Sequence, residues 1–307
     1  MSATKSTPWT AADLPSLTGR TFIVTGATSG LGAVTARELA RAGAHVVLAV
    51  RDPARGERLA ATLTGSTEVR PLDLADLSSV RAFAGAWDRP LDVLVNNAGV
   101  MAIPESRTVD GFEMQFGTNH LGPFALTNLL LPHITDRIVT VASNAHRRAG
   151  VDIDFDDINS EHAYSPWRAY QQSKLANLLF TRELQRRLAA AGSPVTAHAV
   201  HPGYAATNLQ GRSAGAAQRL ILAVTNRLMA QSDAMGALPT LYAATQPLPG
   251  DSYTGPDGRG ELRGHPGPAR RSPQAQDDLR ASRLWDLSEQ LTQVRFTAPT
   301  PGHGRPS

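Results

Sequence analysis

The stretch Thr21-Phe-Ile-Val-Thr-Gly-Ala-Thr-Ser-Gly-Leu-Gly32 decides the fold predicted for this chain of 307 residues. A short apolar run rich in β-branched residues comes first, and a Gly-rich turn follows directly. Apolar residues at helical spacing then continue from Leu31 to Gly43. In this order, helix N–H groups and the positive end of the helix dipole lie beside a tight turn, which suits a pyrophosphate. The stretch therefore predicts the first unit of a dinucleotide-binding domain, although such turns also simply join a strand to a helix.

The alternation of strands and helices continues along the chain. Further strands are predicted at 45–50, 68–74, 91–96, 137–143 and 195–200, and prominent helices at 110–131, 164–191 and 276–294. Elements that alternate in this way form a doubly wound parallel sheet, the Rossmann fold, here with a single domain over 18–295. Residues 1–17 are expected to be a flexible lead and 296–307 a disordered tail. Residues 144–163 are predicted to be a structured surface loop, and 254–273 an irregular loop.

The composition excludes several classes of protein. There is no Cys, so disulfides, thiolate metal sites and Cys nucleophiles are excluded. The net charge of +3 is scattered, which argues against a nucleic-acid partner. The acidic 144–163 segment lacks the spacing of an EF-hand, so no metal is expected. Neither a signal peptide nor a long apolar run is evident, so the expectation is a cytoplasmic protein without a membrane anchor.

The end of the second strand indicates which cofactor is preferred. An NAD-binding enzyme usually offers Asp or Glu there to the ribose hydroxyls, but this chain has Val50 followed by Arg51. A guanidinium can bind a 2′-phosphate in a bidentate way, whereas a carboxylate would repel it. The sequence therefore favours NADP(H) over NAD(H). The alternative is that Arg51 only caps a strand or pairs with Asp52.

Two further strands end in residues suited to a cofactor. Asp73 could accept a hydrogen bond from the adenine amino group, or else serve only as a loop or cap residue. Asn97, Ala98 and Gly99 follow the fourth strand, and small residues there allow a cofactor to approach the backbone closely. An ordinary turn is the alternative.

The segment Tyr170-Gln-Gln-Ser-Lys174 predicts the chemistry, because positions four apart share a helix face. A positive charge beside a phenol favours the ionised form and lowers its pKa, which suits proton transfer between an alcohol and a carbonyl. The chain has 30 Lys plus Arg, of which only Lys5 and Lys174 are Lys. Lys174 thus departs from a strong bias towards Arg, which indicates that an ammonium is needed there.

With these motifs in order, the chain resembles the short-chain dehydrogenase/reductase family over residues 18–295. Its Phe155-Asp-Asp-Ile-Asn, the long gap between Ser143 and Tyr170, and His201-Pro-Gly are similar to the retinol-dehydrogenase and protochlorophyllide-reductase-like branch. The resemblance implies that Tyr170 transfers the proton and that Lys174 lowers its pKa and binds the nicotinamide ribose. It also implies that Ser143 orients the substrate oxygen and that Asn119 holds a water linking Lys174 to solvent.

The residue patterns and the resemblance together assign cofactor contacts along the chain. These are Gly26, Ser29, Gly30, Leu31, Gly32, Arg51, Asp73, Leu74, Asn97, Ala98, Gly99, Tyr170, Lys174, Pro202, Gly203 and Thr207. An NADP(H)-dependent oxidoreductase that interconverts an alcohol and a ketone or aldehyde is the leading hypothesis. A C=C reductase of the protochlorophyllide type is the alternative enzyme, against which the lack of a Cys proton donor counts. A nucleotide-binding regulator without turnover is the alternative from another class.

The substrate and the assembly depend on less specific signals. Residues 216–230 carry an apolar stripe that either covers an apolar substrate as a lid or simply packs on the core. The expected partner is a small-molecule substrate, an apolar alcohol or carbonyl compound, and no nucleic acid. The resemblance leaves a homodimer or homotetramer open, formed through the helices near 110–131 and 164–191 unless the 144–163 insertion blocks it.

Overall fold

The computed structural model describes residues 8–204 and 232–298. Eight strands in these residues form one sheet. They are β1 (Thr21–Thr25), β2 (His45–Val50), β3 (Ser66–Pro71), β4 (Leu91–Asn96), β5 (Ile134–Val141), β6 (Thr196–Val200), β7 (Tyr253–Pro256) and β8 (Pro266–Pro268). Their spatial order is β3-β2-β1-β4-β5-β6-β7-β8, and every neighbouring pair is parallel except β7 and β8.

The helices cover both faces of this sheet, so the predicted doubly wound, single-domain fold is confirmed. Their bounds are α1 (Gly30–Arg41), α2 (Pro53–Ala60), α3 (Leu77–Gly85), α4 (Met114–Phe116), α5 (Gly122–Leu130), α6 (Pro166–Ala190), α7 (Asp233–Thr245) and α8 (Asp278–Thr292). Short 3₁₀ turns connect several of them, and a π-helical turn over Gly117–Leu121 lies between α4 and α5.

The strands alternate between two apolar layers, because successive side chains of a strand point to opposite faces. Phe22 and Val24 of β1 pack in the layer that contains Leu39 of α1 and Leu241 of α7. Ile23 packs in the opposite layer, with α3, α5, α6 and α8. Both faces of the sheet are therefore buried, which explains the continuous apolar runs in its central strands.

The strand order creates the crevice in which a ligand can bind. The chain runs outward from β1 through β2 to β3 and then crosses back to β4 on the other side of β1. In open parallel sheets, ligands bind at such a reversal, outside the carboxyl ends of the strands. The Gly26 turn and the Asn97 segment therefore meet at this edge.

The prediction of one continuous helix over 110–131 is wrong, because the structure has α4, a π-helical turn and α5 in this region. Gly111 takes a positive φ of 85° in a turn before the helix, and the carboxylate of Glu113 caps α4 by accepting from the N–H groups of Gln115 and Phe116. The π-helical turn then interrupts the ladder before α5. Side-chain capping and the widened turn depend on tertiary contacts, so apolar periodicity did not reveal them.

Two other predicted segments also differ from the structure. The third strand ends at Pro71, so Asp73 lies in the turn after it, although the Leu72 N–H still donates to Val50 O. The segment 254–273 is not wholly irregular, because β7 and β8 pair within it.

The predicted flexible lead is wrong for its second half, because residues 9–17 pack on the domain. The Trp9 ring meets the Tyr242 ring edge-on at 5.2 Å between centroids, and Leu17 is fully buried. The Arg41 guanidinium also donates to Ala11 O at 2.7 Å.

Candidate active site

The Gly-rich turn after β1 and the segment after β4 are held together by Thr25. Its Oγ1 accepts hydrogen bonds from the N–H groups of Asn97 and Ala98, both at 3.0 Å. The Asn97 amide donates in return to Thr25 O at 2.8 Å. A Cβ at Gly26 would lie 2.9 Å from Ala98, and one at Gly32 would lie 2.5 Å from the Asn97 amide. These glycines are thus required for the two segments to pack.

The start of α1 faces the same edge and offers donors for an anion. Ser29 is the N-cap residue, but its hydroxyl makes no capping hydrogen bond. Gly30, Leu31 and Gly32 form the first turn of this twelve-residue helix. The first N–H groups of a helix have no partner within it and attract negative charge. The uncommitted Ser29 hydroxyl adds a further donor, so this donor set fits a phosphate group.

Arg51 extends into solvent directly after β2 and forms no ion pair within residues 8–204 and 232–298. The neighbouring carboxylate of Asp52 is used otherwise, since it caps α2 by accepting from the Arg55 N–H at 3.0 Å. The alternative in which Arg51 merely pairs with Asp52 is therefore wrong in this structure. The guanidinium is accessible to a ligand at the sheet edge.

The predicted adenine contacts lie in the turn after β3. Asp73 is half-buried, and its carboxylate accepts a hydrogen bond from the Ala75 N–H at 2.9 Å. This bond stabilises the turn. Leu74 is buried against α5, where a Cβ on Gly122 would lie 2.4 Å from Leu74 O. The backbone and one carboxylate of this turn are thus placed at the sheet edge beside β2.

Tyr170 and Ser143 are brought together, although 26 residues separate them in the chain. Tyr170 lies one turn into α6 and is buried, and the Ser143 hydroxyl lies close enough to its phenol to lower the pKa of that phenol. Ser143 follows β5 and is half-buried, and its Oγ also accepts from the Ala145 N–H at 3.1 Å. The two hydroxyls therefore face one point at the carboxyl edge of the sheet.

The pKa of Tyr170 does not behave as the sequence predicted. Burial raises it above 10.0, and the neighbouring Ser143 hydroxyl offsets only part of that rise. Lys174 does not reverse it, because its Nζ lies 5.8 Å from the phenol ring centroid and is itself removed from water. Burial lowers the pKa of Lys174 to about 8. Tyr170 is consequently a neutral phenol in the protein without cofactor.

The Lys174 ammonium is positioned by the end of β5. Its Nζ donates to Val141 O at 2.9 Å, and the Asn177 amide donates to the same carbonyl at 3.1 Å. An ammonium has three N–H donors, and Val141 O uses one of them. Lys174 is therefore held at the crevice with capacity for further acceptors.

Asn119 lies within the π-helical turn, which directs its amide towards the segment after β4. Its Oδ1 accepts from the Val100 N–H at 2.8 Å, and its Nδ2 donates to Val100 O and Ser173 Oγ, both at 2.9 Å. A Cβ at Gly99 would lie 3.0 Å from this Oδ1 and 3.5 Å from Lys174 Nζ. Asn119 thus borders Lys174, and π-helical turns are frequent at functional sites.

Two residues that support the site were missed by sequence reasoning. One is Thr25, which could have been found from the sequence because it places a hydroxyl at the last position of the apolar strand β1. The other is His146, whose Nδ1 donates to Ser143 O at 2.6 Å while its Nε2 accepts from the Ser272 N–H at 3.2 Å. These two bonds require the Nδ1–H tautomer, and burial lowers the His146 pKa to about 4, which keeps the ring neutral.

The segment after β6 also reaches the crevice. Gly203 takes a positive φ of 69°, and a Cβ there would lie 2.4 Å from Leu262 O, so this turn packs tightly against the 256–262 loop. Pro202 precedes it at the end of β6. Thr207 and the proposed lid over 216–230 lie outside the described residues.

The carboxylates of Asp152 and Asp154 in the acidic segment 144–163 bind other groups of the protein. Asp154 accepts from the Asp157 N–H and pairs with Arg168, whereas Asp152 pairs with Arg280 at 2.9 Å. Within the described ranges, no group of three or more His, Asp or Glu residues is arranged to hold a metal ion. The same ranges contain no helix with the length and apolar character needed to cross a membrane.

Comparison with known proteins agrees with this geometry. A family model described as short chain dehydrogenase matches residues 20–217. Human retinol dehydrogenase 14 is 42% identical over 301 residues, which are 88% of this chain and 85% of that protein. Mouse polyprenol dehydrogenase is 46% identical over 250 residues, covering 76% of this chain and 74% of that protein.

A solved structure has the same fold over almost the whole chain. The crystal structure of an uncharacterized protein from Mycobacterium paratuberculosis is 57% identical, with a TM-score of 0.83, and covers 95% of this chain and 100% of that one. A matching family model over most of the chain, these relatives and the arrangement of Ser143, Tyr170 and Lys174 lead to one conclusion. The chain belongs to the short-chain dehydrogenase family of oxidoreductases, in its retinol-dehydrogenase-like branch.

Proposed function

We propose that this protein is an NADP(H)-dependent oxidoreductase that interconverts an alcohol and a ketone or aldehyde, with Tyr170 as its general acid and base. The observation that carries the proposal is the placement of the buried Tyr170 phenol at the carboxyl edge of the sheet, beside the Ser143 hydroxyl and with Lys174 Nζ 5.8 Å from its ring centroid. Retinol and polyprenol dehydrogenases among the relatives support alcohol and carbonyl chemistry. Turnover also distinguishes this proposal from a C=C reductase or a regulator that only binds nucleotide.

The raised pKa of Tyr170 suits the reducing direction. When bound, a nicotinamide dinucleotide supplies the hydride for reduction and accepts it in oxidation. As negative charge develops on the carbonyl oxygen, the neutral Tyr170 phenol donates its proton to that oxygen. The Ser143 hydroxyl donates a hydrogen bond to the same atom, where a preorganised donor is most effective. In the oxidising direction the proton returns from the alcohol to Tyr170.

Lys174 has two proposed tasks in this reaction. Its remaining N–H donors would hold the ribose hydroxyls of the cofactor, and its positive charge would stabilise the Tyr170 phenolate after proton transfer. Because the Lys174 pKa is about 8, the ammonium remains mostly protonated at neutral pH despite its burial. Asn119 would complete a route for protons from Lys174 to solvent through a water.

The preference for NADP(H) is proposed from the position of Arg51. The last residue of β2 is Val50 and not a carboxylate, and the Asp52 carboxylate caps α2. Arg51 is exposed and forms no ion pair with any residue that the structure describes, and such a guanidinium is suited to a 2′-phosphate. The phosphates of the cofactor would be held by the Ser29 hydroxyl and the first turn of α1.

The proton-transfer role is tested by Tyr170→Phe, which removes only the hydroxyl. Carbonyl-dependent NADPH oxidation should fall by about 10²-fold or more, because general acid catalysis typically contributes this much. Thermal stabilisation by NADPH should persist. Tyr242→Phe, on α7 beside Trp9, is the matched control and should keep full turnover. Near-normal turnover by folded Tyr170→Phe would reject the proposed role.

The cofactor preference is tested by isothermal titration with NADPH and NADH. The unmodified protein should bind NADPH more tightly, and Arg51→Ala should remove most of that difference while leaving NADH affinity nearly unchanged. Arg55→Ala is the matched control, because it removes an exposed guanidinium four residues away. Equal affinities of the unmodified protein for the two cofactors would reject the preference.

A further inference from the structure

Trp167 is an unusually exposed indole. It is the second residue of α6, and 55% of its surface is accessible, whereas the indoles of Trp87 and Trp285 are almost fully buried. Indole side chains usually contribute their large apolar area to a core or an interface. The exposure of Trp167 therefore indicates that its ring contacts something other than the core of this domain.

The Trp167 ring lies directly beside the proposed proton donor. Its centroid is 6.0 Å from that of Tyr170, and the rings are nearly perpendicular at 82°. Trp167 precedes Tyr170 by three positions, so both side chains lie on one face of α6. A substrate whose oxygen meets the Tyr170 hydroxyl would thus bring its substituents within reach of the indole.

Hydrogen bonds of Gln115 and Tyr164 fix the start of α6 against the segment after β4. The fully buried Gln115 amide donates to Pro166 O at 2.8 Å and accepts from the Ala102 N–H at 2.7 Å. The Tyr164 hydroxyl adds a bond to Ile103 O at 2.9 Å. The indole is therefore carried by a rigid part of the chain rather than by a mobile loop end.

The segment joined to α6 in this way adds apolar surface of its own. Val100, Met101 and Ile103 are each only half-buried. Gln115 links the backbone of this segment to Pro166, which directly precedes Trp167, so these three side chains add apolar surface beside the start of α6.

We infer that Trp167 is a specificity-determining residue that binds the apolar substituent next to the reacting carbonyl or alcohol carbon. The favoured substrates carry a cyclic, branched or long aliphatic group, which covers the indole and removes it from water. This inference rests on the proposed function, since it assigns the substrate class at the same site. It concerns binding of the substituent and leaves proton transfer to Tyr170.

The first test compares two ketones with NADPH, cyclohexyl methyl ketone and acetone. Trp167→Ala should lower kcat/KM for the cyclohexyl compound by about tenfold or more, mainly through KM, because this is the usual effect of lost apolar contacts in a pocket. The value for acetone should change by less than about twofold. Trp167→Phe should retain most of the discrimination.

Leu279→Ala is the matched control for this comparison, since Leu279 is 84% exposed at the start of α8. It should leave both substrates unaffected. An unchanged ratio between the two ketones in Trp167→Ala would overturn the inference while the proposed function stands.

The second test measures binding without turnover. In the Tyr170→Phe variant with NADP⁺, acrylamide should quench the tryptophan fluorescence less strongly when 1-cyclohexylethanol is added. Propan-2-ol should have little effect on this quenching. The same protein carrying Trp167→Phe provides the blank for the more buried indoles. Unchanged quenching would overturn the inference. Protection in a protein that reduces no carbonyl compound would support it and reject the proposed function instead.

Discussion

At the scale of single residues, Lys174 shows how a functional group can oppose stability. The side chain is buried, and desolvation lowers its pKa from 10.5 to about 8. Below pH 8 the folded protein therefore carries a charge that is more favourable in the unfolded chain. The position retains an ammonium despite this cost, which is consistent with a proposed role towards cofactor and Tyr170.

Replacing Lys174 by Met should therefore stabilise the protein without cofactor. A pKa shift from 10.5 to about 8 corresponds to roughly 3 kcal/mol, so the free energy of unfolding at pH 7 should rise by up to about that amount. Carbonyl reduction should be lost. The gain should shrink as the pH rises from about 8 towards 10.5, because the unfolded chain then binds the proton that the folded protein has released.

Urea denaturation of both proteins at pH 7 and at pH 9.5 checks this expectation. The Asn177 amide still satisfies Val141 O in the variant, so no carbonyl is left without a donor. A Lys174→Met protein that is less stable than the unmodified protein at pH 7 would contradict the argument.

At the scale of elements, the decisive contact is between the Gly-rich turn and the segment after β4. Thr25, Asn97 and Ala98 form three hydrogen bonds across it. The close approach leaves no room for side chains at Gly26 and Gly32. The glycines therefore serve the packing of two protein segments as well as the proposed phosphate site.

Gly32→Ala should destabilise the protein and weaken NADPH binding. The new Cβ would lie 2.5 Å from the Asn97 amide and 2.6 Å from Gly26 O, so one segment must move. Overpacking of this kind typically costs about 1–3 kcal/mol. Gly85→Ala is the matched control, because nothing lies within 4 Å of a Cβ there. It should stabilise the protein by up to about 1 kcal/mol through helix propensity.

Thermal and urea denaturation, with NADPH titration, distinguish these two glycines. Equal effects of the two substitutions on stability would show that the contact between the turn and Asn97 is not tightly packed.

At the scale of the whole molecule, α8 covers α5 and α6, which lie in the regions through which a homodimer or homotetramer was left open. Trp285 packs between Phe124 of α5 and Phe180 of α6, with ring centroids at 4.9 and 5.8 Å. His120 Nε2 and Ser288 Oγ form a buried hydrogen bond at 2.8 Å nearby. Assembly through these faces of α5 and α6 would have to displace α8.

We therefore expect the protein to be a monomer of 32.7 kDa in solution. Replacing a buried Trp by Ala typically lowers the free energy of unfolding by about 3–5 kcal/mol. Displacing α8 would remove Trp285 from its packing and would cost free energy of at least this order. Size-exclusion chromatography with light scattering over a range of concentrations measures the mass. A stable dimer or tetramer would contradict the expectation, and crosslinks between copies of α6 would show that α8 had moved.

Buried histidines make the whole molecule sensitive to acid. Burial is the main cause that lowers the pKa of His120 to about 3 and of His146, His198 and His201 to about 4, from 6.5. As the pH falls below 6.5, the unfolded chain binds protons that the folded protein does not, so stability must decrease. Each histidine contributes a slope of up to about 1.4 kcal/mol per pH unit between its two pKa values.

Urea denaturation between pH 7 and pH 5 should show this loss. His198→Asn should reduce the slope by about one quarter, whatever its effect at pH 7. A stability that does not change over this range would show that the folded protein takes up as many protons as the unfolded chain, which would contradict the expectation.

The amino-acid sequence was enough to predict six of the eight strands, the Gly-rich turn and the spacing of Tyr170 and Lys174 on one helix. These features are local, because apolar periodicity, strand length and turn residues act over a few neighbouring positions. For the same reason the chain revealed where polar residues follow strands, and the parallel topology then brings those strand ends to one edge.

Tertiary structure alone decided how these residues behave. The π-helical turn at Asn119, the Thr25 bonds and the contact of His146 with Ser272 join segments far apart in sequence. Burial reversed the expected pKa shift of Tyr170, since desolvation outweighs a distant, partly desolvated ammonium. The exposure of Trp167 could not be predicted either, because a helical pattern indicates which residues share a face but not whether another element covers that face.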